Sequence, residues 1–203
     1  MTVPKEYNVV EGLIGLDHQV GILNPDPSDI EFSDIDGVMK RITKKQQNDN
    51  TVSLTQIMEY GIHSLEVEFN LTLDNGNGAI GIVRNSYNIP AGAYWNGRHH
   101  NQHIAAFAGR YLMGNVYYKA NSTYGNTGFR NNDIVRLEYN SKKGTVTYFL
   151  NNVQQPVYIS GIREKIRFVI EMCYSGSTCT IRSLKKIKYP TAVTRIGDKS
   201  VQW

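Results

Sequence analysis

Residues 64–73 read Ser-Leu-Glu-Val-Glu-Phe-Asn-Leu-Thr-Leu, and this stretch decides the fold class of the chain. Apolar and polar residues alternate throughout, so one face carries leucine, valine and phenylalanine while the other carries glutamate, asparagine and threonine. A period of two is typical of a β-strand with one buried and one solvated face. The run Asp-Asn-Gly-Asn-Gly at 74–78 favours a turn, and the apolar stretch 79–83 then predicts a returning strand and a hairpin.

The same alternation predicts two further hairpins. Residues 135–139 alternate before a turn at 141–144, and residues 146–150 alternate after it. A third hairpin is expected to run from 166–172 through a Ser-Gly turn to 178–181. Weaker strands are expected at 30–33, 38–43, 104–108, 116–118 and 156–159, and helical spacing is confined to one short turn at 53–60. Many short strands separated by turns predict an all-β sandwich.

Length and composition bear on the class of protein and on its compartment. The chain has 203 residues, of which 40% are hydrophobic and 20% are charged, so it is long enough to bury a core within one large β domain. Its first residues lack the basic start and apolar run of a secretory signal, and no window approaches the roughly eighteen apolar residues of a membrane span. We therefore expect a soluble, cytoplasmic chain without a membrane span.

The two cysteines are expected to be free thiols. In the third predicted hairpin Met172 would pair with Cys179, which sends Cys173 to the opposite face of the sheet. Side chains on opposite faces of a sheet cannot meet the geometry of a disulfide bond. Free thiols also agree with a reducing compartment.

Four segments of the chain resemble, in the same order, four segments of the SPRY domain family. Residues 61–68, Gly-Ile-His-Ser-Leu-Glu-Val-Glu, resemble its Gly-x-His-x-Trp-Glu-Val strand, and Ile-Gly-Ile-Val at 80–83 resembles its returning strand. Tyr-Gly at 124–125 followed by Phe-Arg-Asn-Asn-Asp-Ile-Val at 129–135 resembles its Phe-x-x-Gly-Asp-Val-Ile stretch. Residues 144–152, Gly-Thr-Val-Thr-Tyr-Phe-Leu-Asn-Asn, resemble its Gly-x-Ile-x-Phe-x-x-Asn-Gly strand and turn.

The chain departs from the family pattern at three positions. Leu65 stands where tryptophan is usual, which predicts a smaller side chain in the core. Asn132 and Asn152 stand where glycine is usual. Because asparagine tolerates the left-handed backbone conformation, we expect both turns to be kept.

The resemblance covers roughly residues 29–189 and implies a fold and a role. The fold is an all-β, two-sheet antiparallel sandwich of the concanavalin-like jelly-roll type, with residues 1–28 as an N-terminal extension packed on the sandwich and residues 190–203 as a C-terminal tail. The role is non-catalytic: loops at one end bind a peptide or a partner protein surface, as in a scaffold or a recruitment subunit of an assembly. Apolar residues in both terminal segments favour packing on the domain or on a neighbouring subunit; they are Val9, Val10, Leu13, Ile14, Leu16, Val193, Ile196, Val201 and Trp203.

Two loops form the predicted partner-binding site. Tyrosine, tryptophan and arginine dominate the binding energy of many interfaces, and the first loop, the polar, turn-rich stretch 85–102, contains all three. Its predicted contacts are Tyr94, Trp95, Asn96, Arg98, His99 and His100. The second loop, residues 117–124, has the tyrosine, asparagine and serine composition of adaptable binding loops, and Tyr118 and Tyr124 are its predicted contacts.

A carbohydrate-binding jelly-roll lectin is the alternative function. In that case Trp95 would stack on a sugar ring, and Asn96 and Arg98 would hydrogen-bond to its hydroxyls. The sequence lacks a clustered acidic site for the calcium ion that would support such a role.

Catalysis and nucleic-acid binding are not predicted. His99 and His103 could bind one metal ion only if their segment were helical, because residues four apart share a helix face, and Gly97 and Asn101 disfavour a helix there. We therefore predict no metal site, and we predict no cofactor and no catalytic residue. The net charge is +4, and no run of like charges is long enough for a nucleic-acid arm. Nucleic-acid binding would need the lysine groups at 44–45, 142–143 and 185–188 to gather on one face, which the sequence alone leaves open.

Overall fold

Two β-sheets form the framework of the computed structural model, which describes residues 20–73 and 76–203. In chain order the strands are β1 (Ile22–Leu23), β2 (Ile30–Asp34), β3 (Lys40–Lys44), β4 (Asn50–Leu54), β5 (Ile62–Asn70), β6 (Gly78–Arg84), β7 (Ile104–Ala108), β8 (Val116–Tyr118), β9 (Asn121–Thr123), β10 (Ile134–Asn140), β11 (Thr145–Leu150), β12 (Val153–Gln154), β13 (Val157–Ser160), β14 (Ile166–Met172), β15 (Thr178–Ile187) and β16 (Lys199–Gln202).

In the part of the chain that the structure describes, helical structure is limited to a 3-10 turn at Arg110–Leu112, between β7 and β8. The short turn expected at 53–60 does not form: its first residues belong to strand β4, and Met58 makes an isolated bridge to Ile166. Within residues 20–73 and 76–203, no helix is long and apolar enough to span a bilayer.

The seven-stranded sheet has the order β1-β4-β14-β6-β7-β8-β9. The nine-stranded sheet has the order β16-β13-β11-β10-β5-β15-β3-β2, with β12 paired to β11. All neighbouring strands are antiparallel except β13 and β16, which are parallel. The predicted all-β, two-sheet antiparallel sandwich is therefore confirmed.

The main core lies between the two sheets and follows the alternation read from the sequence. In β5 the side chains of Leu65, Val67 and Phe69 are fully buried, and Leu71 beyond the strand end is buried as well. Leu65, which replaces the usual tryptophan, sits opposite Leu137 on one neighbouring strand and Leu184 on the other. The alternation fails at Ser64, a polar residue that is buried, and at Leu73, which is 57% exposed because it lies three residues past the end of the strand.

One of the three predicted hairpins is confirmed and two are wrong. Strands β10 and β11 pair across the turn at 141–144, with Leu137 opposite Tyr148. Strand β5 does not pair with β6, because β5 belongs to the nine-stranded sheet and β6 to the seven-stranded one. Likewise β14 pairs with β4 and β6, while β15 pairs with β3 and β5. Both connections cross from one sheet to the other. Of the first turn, Asp74 and Asn75 lie outside the described residues.

Cys173 and Cys179 are free thiols, but not for the reason inferred from the hairpin. Cys179 is buried in β15, where it pairs with Phe69 and Ile42 in the nine-stranded sheet. Cys173 follows β14 in the other sheet. The expected pairing of Met172 with Cys179 does not exist, since Met172 pairs with Asn50 and Gly78.

Asparagine replaces glycine in two turns without loss of the backbone conformation. Asn132 and Asn152 both have φ of 64°, in the left-handed region, as predicted. Glycine is required elsewhere for a different reason: a Cβ at Gly81 in β6 would lie 2.1 Å from the carbonyl oxygen of Ala105 on β7.

The tail of residues 190–203 lies on the nine-stranded sheet and completes its edge. The buried carboxylate of Glu138 on β10 accepts hydrogen bonds from the backbone N–H groups of Thr191 and Ala192 at 3.1 Å and 3.0 Å. Strand β16 then pairs with β13. The ring of Trp203 stacks on Tyr118 with 4.9 Å between centroids, and Val201 also packs against the core. Val193 and Ile196, which were expected to pack as well, are exposed.

The N-terminal segment is described only from Val20 onward. Val20 is buried, and β1 pairs with β4 at the edge of the seven-stranded sheet. The apolar residues expected to pack in this segment lie outside the described residues; they are Val9, Val10, Leu13, Ile14 and Leu16.

Candidate partner-binding loops

Residues 85–103, here called the covering loop, lie across the outer face of the seven-stranded sheet. Outward-facing residues of β6 and β7, together with Val169 of β14, are small or apolar, so this face needs cover. Trp95 supplies it and is only 2% exposed. It packs in a second hydrophobic cluster with Ala79, Val83, Ile104, Ala106, Ala108 and Val169.

Hydrogen bonds to buried side chains fix the covering loop in place. Arg167 on β14 donates to the carbonyl oxygen of Tyr87 at 2.7 Å and to the hydroxyl of Ser53 at 3.0 Å. The hydroxyl of Thr51 donates to the carbonyl oxygen of Ala93 at 2.7 Å. Buried donors that meet backbone acceptors in this way hold a loop in one conformation.

The second half of the covering loop is a series of tight turns with two exposed side chains. The N–H of Gly97 donates to the carbonyl oxygen of Tyr94, and the N–H of His100 donates to that of Gly97, each at 2.8 Å. Arg98 and His99 lie within these turns and are exposed to solvent. We call this pair the loop tip.

Two histidines of the covering loop, His100 and His103, contact Tyr87. The Tyr87 hydroxyl lies 2.6 Å from Nδ1 of His100, and its ring stacks on His103 with 4.1 Å between centroids. Burial, together with the neighbouring His99 and His103, lowers the pKa of His100. In the described part of the chain, no group of three or more His, Cys, Asp or Glu side chains is placed to hold a metal ion.

A buried carboxyl group lies beneath the covering loop. Glu171 points outward from β14 and is 3% exposed, and the indole of Trp95 donates a hydrogen bond to it. Burial and then the charge of Asp49 raise the pKa of Glu171 to about 8. Burial also raises the pKa of Cys173 to about 11, so this cysteine is a neutral thiol near pH 7 and a poor nucleophile.

Trp95 and Tyr118 were expected to contact a partner, and their burial corrects that expectation. Trp95 is a core residue because the apolar outer face of the sheet needs a large side chain to cover it. Tyr118 is 3% exposed, and its hydroxyl accepts a hydrogen bond from Arg84 at 2.9 Å. Its neighbour Tyr117 packs edge-on against Trp95 at 5.3 Å. The lectin alternative loses its sugar-stacking residue, since Trp95 offers no exposed face.

The other predicted contacts differ in exposure and in place. Arg98, His99 and Tyr124 are exposed, with Tyr124 at 62%, whereas Tyr94, Asn96 and His100 are half-buried. The first loop therefore presents Arg98 and His99 over the seven-stranded sheet. The backbone of Tyr124 instead lies beside the edge of the nine-stranded sheet, where its carbonyl oxygen accepts a hydrogen bond from Lys199 at 3.3 Å.

Sequence reasoning missed the buried charges of β14. The strand reads Ile-Arg-Phe-Val-Ile-Glu-Met, and Arg167 and Glu171 share its outward face with Val169. Arginine and glutamate on the outward face of an alternating strand are typical of a solvated face, so the pattern of β14 alone did not indicate that this face is covered.

Comparisons with known proteins identify the fold. No protein-family model matches the sequence, and no curated protein matches it either. The structure superposes on the SPRY domain of human HERC1 with a TM-score of 0.59 and 11% identity, covering 81% of this chain and 99% of that one. It superposes on the TRIM65 PSpry domain with a TM-score of 0.57 and 9% identity, covering 75% and 87%. It superposes on another human SPRY domain with a TM-score of 0.52 and 12% identity, covering 81% of this chain and 96% of that one.

The chain therefore has a SPRY-like fold, as the resemblance of its four segments predicted.

Proposed function

We propose that this chain is a non-catalytic protein-interaction module that binds a peptide or a partner protein surface through the loop tip, Arg98 and His99. The SPRY-like fold supports a role in binding, because proteins of this fold class are expected to use their loops for recognition. We extend the proposal to a cytoplasmic location and to a recruiting or scaffold role within an assembly. The free thiols agree with that location.

The observation that carries the proposal is an exposed loop tip on a rigidly held loop. Trp95 is buried two residues after Ala93 and three residues before Arg98, so the chain is anchored directly beside the tip. A loop that is already ordered loses little conformational entropy when it binds. The covering loop therefore has the rigidity that a recognition surface needs.

The chemistry of the loop tip suits a polar partner surface. Arginine donates up to five hydrogen bonds in a fixed plane and is enriched among residues that dominate interface energies. Arg98 forms none of the ion pairs found within the described residues, so its guanidinium is available. The half-buried Tyr94 and Asn96 lie on the same loop and would border the contact.

A double substitution at the loop tip tests the proposal. The Arg98→Ala/His99→Ala variant should lower recovery of native partners in affinity capture by at least about tenfold, as expected for the loss of an interface hot spot. Its melting temperature should stay close to that of the wild type, because both side chains are exposed. Trp95→Ala is unsuitable, since it would remove a core side chain.

The matched control is Arg41→Ala/Arg130→Ala, which removes two exposed arginines away from the covering loop. This control should recover partners as the wild type does. Equal recovery of the same partners by the loop-tip variant and the wild type would refute the assignment of the loop tip as the binding surface.

A further inference from the structure

A second surface, at one end of the nine-stranded sheet, gathers lysines that are far apart in the sequence. It is an open cleft of about 750 Å³. Lys142 and Lys143 from the β10–β11 turn line one side, and Lys186 and Lys188 from the end of β15 line the other. We call this feature the basic cleft. The covering loop lies on the other sheet, so the two surfaces are separate.

Strand order explains why these lysines meet. Strand β5 runs between β10 and β15 and is antiparallel to both, so the ends of β10 and β15 flank its first residues. Ile62 at the start of β5 pairs with Asn140 on one side and Ile187 on the other. The two pairs of lysines lie on either side of β5, two strand spacings apart, which is about 10 Å across the sheet. One extended peptide can bridge that distance.

Gly61 contributes to the shape of the basic cleft. A Cβ at this position would lie 2.3 Å from Cε of Lys186, so the aliphatic stem of Lys186 lies directly over the glycine. Gly61 has φ of 95°, which is disfavoured for other residues. The absence of a side chain at Gly61 therefore lets Lys186 lie across the start of β5, where its ammonium group lines the cleft.

The positive charge of the basic cleft is not neutralised by the chain itself. None of the ion pairs formed within the described residues includes Lys142, Lys143, Lys186 or Lys188. No acidic side chain lines the cleft within that part of the chain. The nearby Glu138 is already occupied by Thr191, Ala192 and Arg136. Four like charges around one cleft repel each other and attract an anionic ligand.

The floor of the basic cleft distinguishes between anionic ligands. Its apolar lining is aliphatic and comes from Ile62, Ile187 and Pro190, beside the polar Asn140 and Ser141. No aromatic ring is among the lining residues in the described structure, whereas single-stranded nucleic acids are held by several bases that stack on aromatic rings. One exposed ring, that of Tyr189, lies beside the rim, with the ammonium of Lys188 5.2 Å from its centroid. An aliphatic floor with a cationic rim instead matches a peptide that carries one apolar side chain between carboxylates.

We infer that the basic cleft binds an acidic peptide segment of a partner protein, in which an aliphatic side chain fills the floor and flanking Asp or Glu carboxylates pair with the lysines. This surface does not depend on the loop tip. The volume of the cleft falls within the range of about 300–1,000 Å³ that is common for sites of small ligands, so a few residues of the peptide would enter it.

Selection from a display library of random linear peptides tests this inference on the full chain. The wild type should enrich peptides in which Asp or Glu flanks a leucine, isoleucine or valine. The Lys142→Glu/Lys188→Glu variant, which reverses one charge on each side of the cleft, should lose that enrichment. Arg41→Glu/Arg130→Glu changes the net charge equally at exposed sites outside the cleft and should retain it.

Fluorescence anisotropy with an enriched peptide then gives the magnitude. The dissociation constant should rise at least about tenfold in Lys142→Glu/Lys188→Glu, rise similarly when the peptide's acids become amides, and change little in the control variant. An oligouridine RNA is the second probe and should bind more weakly than the peptide. Thermal unfolding of each variant shows whether it is folded.

Three results would overturn the inference. The first is a selection that enriches no peptide, or only peptides without acidic residues. The second is a folded Lys142→Glu/Lys188→Glu variant that binds the peptide as tightly as the wild type does. The third is RNA binding that depends on the same lysines and is tighter than peptide binding. The loop-tip variant Arg98→Ala/His99→Ala keeps the cleft intact, so failure of one surface is distinguishable from failure of the other.

Discussion

Replacing Glu171 by glutamine should make the protein progressively more stable than the wild type as the pH rises from about 5 to 8. Glu171 is buried beneath the covering loop, where burial and the charge of Asp49 raise its pKa from 4.5 to about 8. Lys44 and the hydrogen bond from Trp95 oppose that rise without cancelling it. The folded protein therefore keeps a proton that the unfolded chain releases.

The size of the effect follows from that one proton. Below about pH 4.5 both states hold it, and the carboxyl costs no stability relative to an amide. Between the unfolded and folded pKa values, the free energy of unfolding falls by up to about 1.4 kcal/mol per pH unit. At pH 7 the wild type would be less stable than Glu171→Gln by roughly 3 kcal/mol. Glutamine keeps the shape and the oxygen acceptor for Trp95 but has no proton to lose.

Urea unfolding across this pH range, followed by tryptophan fluorescence, measures the prediction directly. Trp95 lies against the substituted side chain and reports on the covering loop. The difference between variant and wild type should grow with pH, while Glu31→Gln, at an exposed position on β2, should leave the pH dependence unchanged. A difference that stays constant from acid to neutral pH would show that Glu171 is ionised in the folded protein and that the reasoning is wrong.

Substitutions at two further sites test contacts elsewhere in the structure. Lys44 and Asp29 form an ion pair whose side chains are fully buried, and hydrogen bonds from Lys44, Asn50 and Gln46 outweigh burial to hold the pKa of Asp29 below its usual value. Lys44→Met should therefore lower the free energy of unfolding by about 3–5 kcal/mol, because it leaves the buried charge of Asp29 unpaired. In a double-mutant cycle, Lys44→Met/Asp29→Leu should recover most of that loss, and additive effects of the two substitutions would contradict this. Trp203→Ala should cost about 2 kcal/mol by removing the stack on Tyr118 and the hydrogen bond to Glu164 at 2.8 Å, and Trp203→Phe should cost less by chemical denaturation; equal losses would show that stacking contributes little.

Alternation of side chains predicted which residues are buried more reliably than it predicted which strands pair. In β5 the apolar face was placed correctly, and the β10–β11 hairpin was found because its two strands and short turn lie in one sheet. Strands β5 and β6 also alternate, yet each belongs to a different sheet. In a sandwich both sheets direct apolar side chains toward the same core, so the pattern does not distinguish a hairpin from a crossing connection.

Exposure of the predicted contacts could not be derived from loop composition alone. Trp95 lies in a polar stretch, but β6 has small or apolar residues on both faces, from Ala79 to Val83. Such a strand must be covered on both sides. The sequence therefore indicated that a cover exists, whereas only the folded chain showed that residues 85–103 supply it and that Trp95 faces inward.

By itself the sequence determined the two-residue period, and hence an all-β sandwich with a buried face on each strand, because side-chain direction in a strand is a local property. The left-handed backbone conformation in two turns was also determined by the local sequence, since Asn132 and Asn152 tolerate positive φ. Only the tertiary structure decided which strands share a sheet, that Glu171 is buried beneath Trp95, and that Lys142 and Lys188 face one cleft. Those relations depend on contacts between residues far apart in the chain, and such contacts form only when the whole core packs at once.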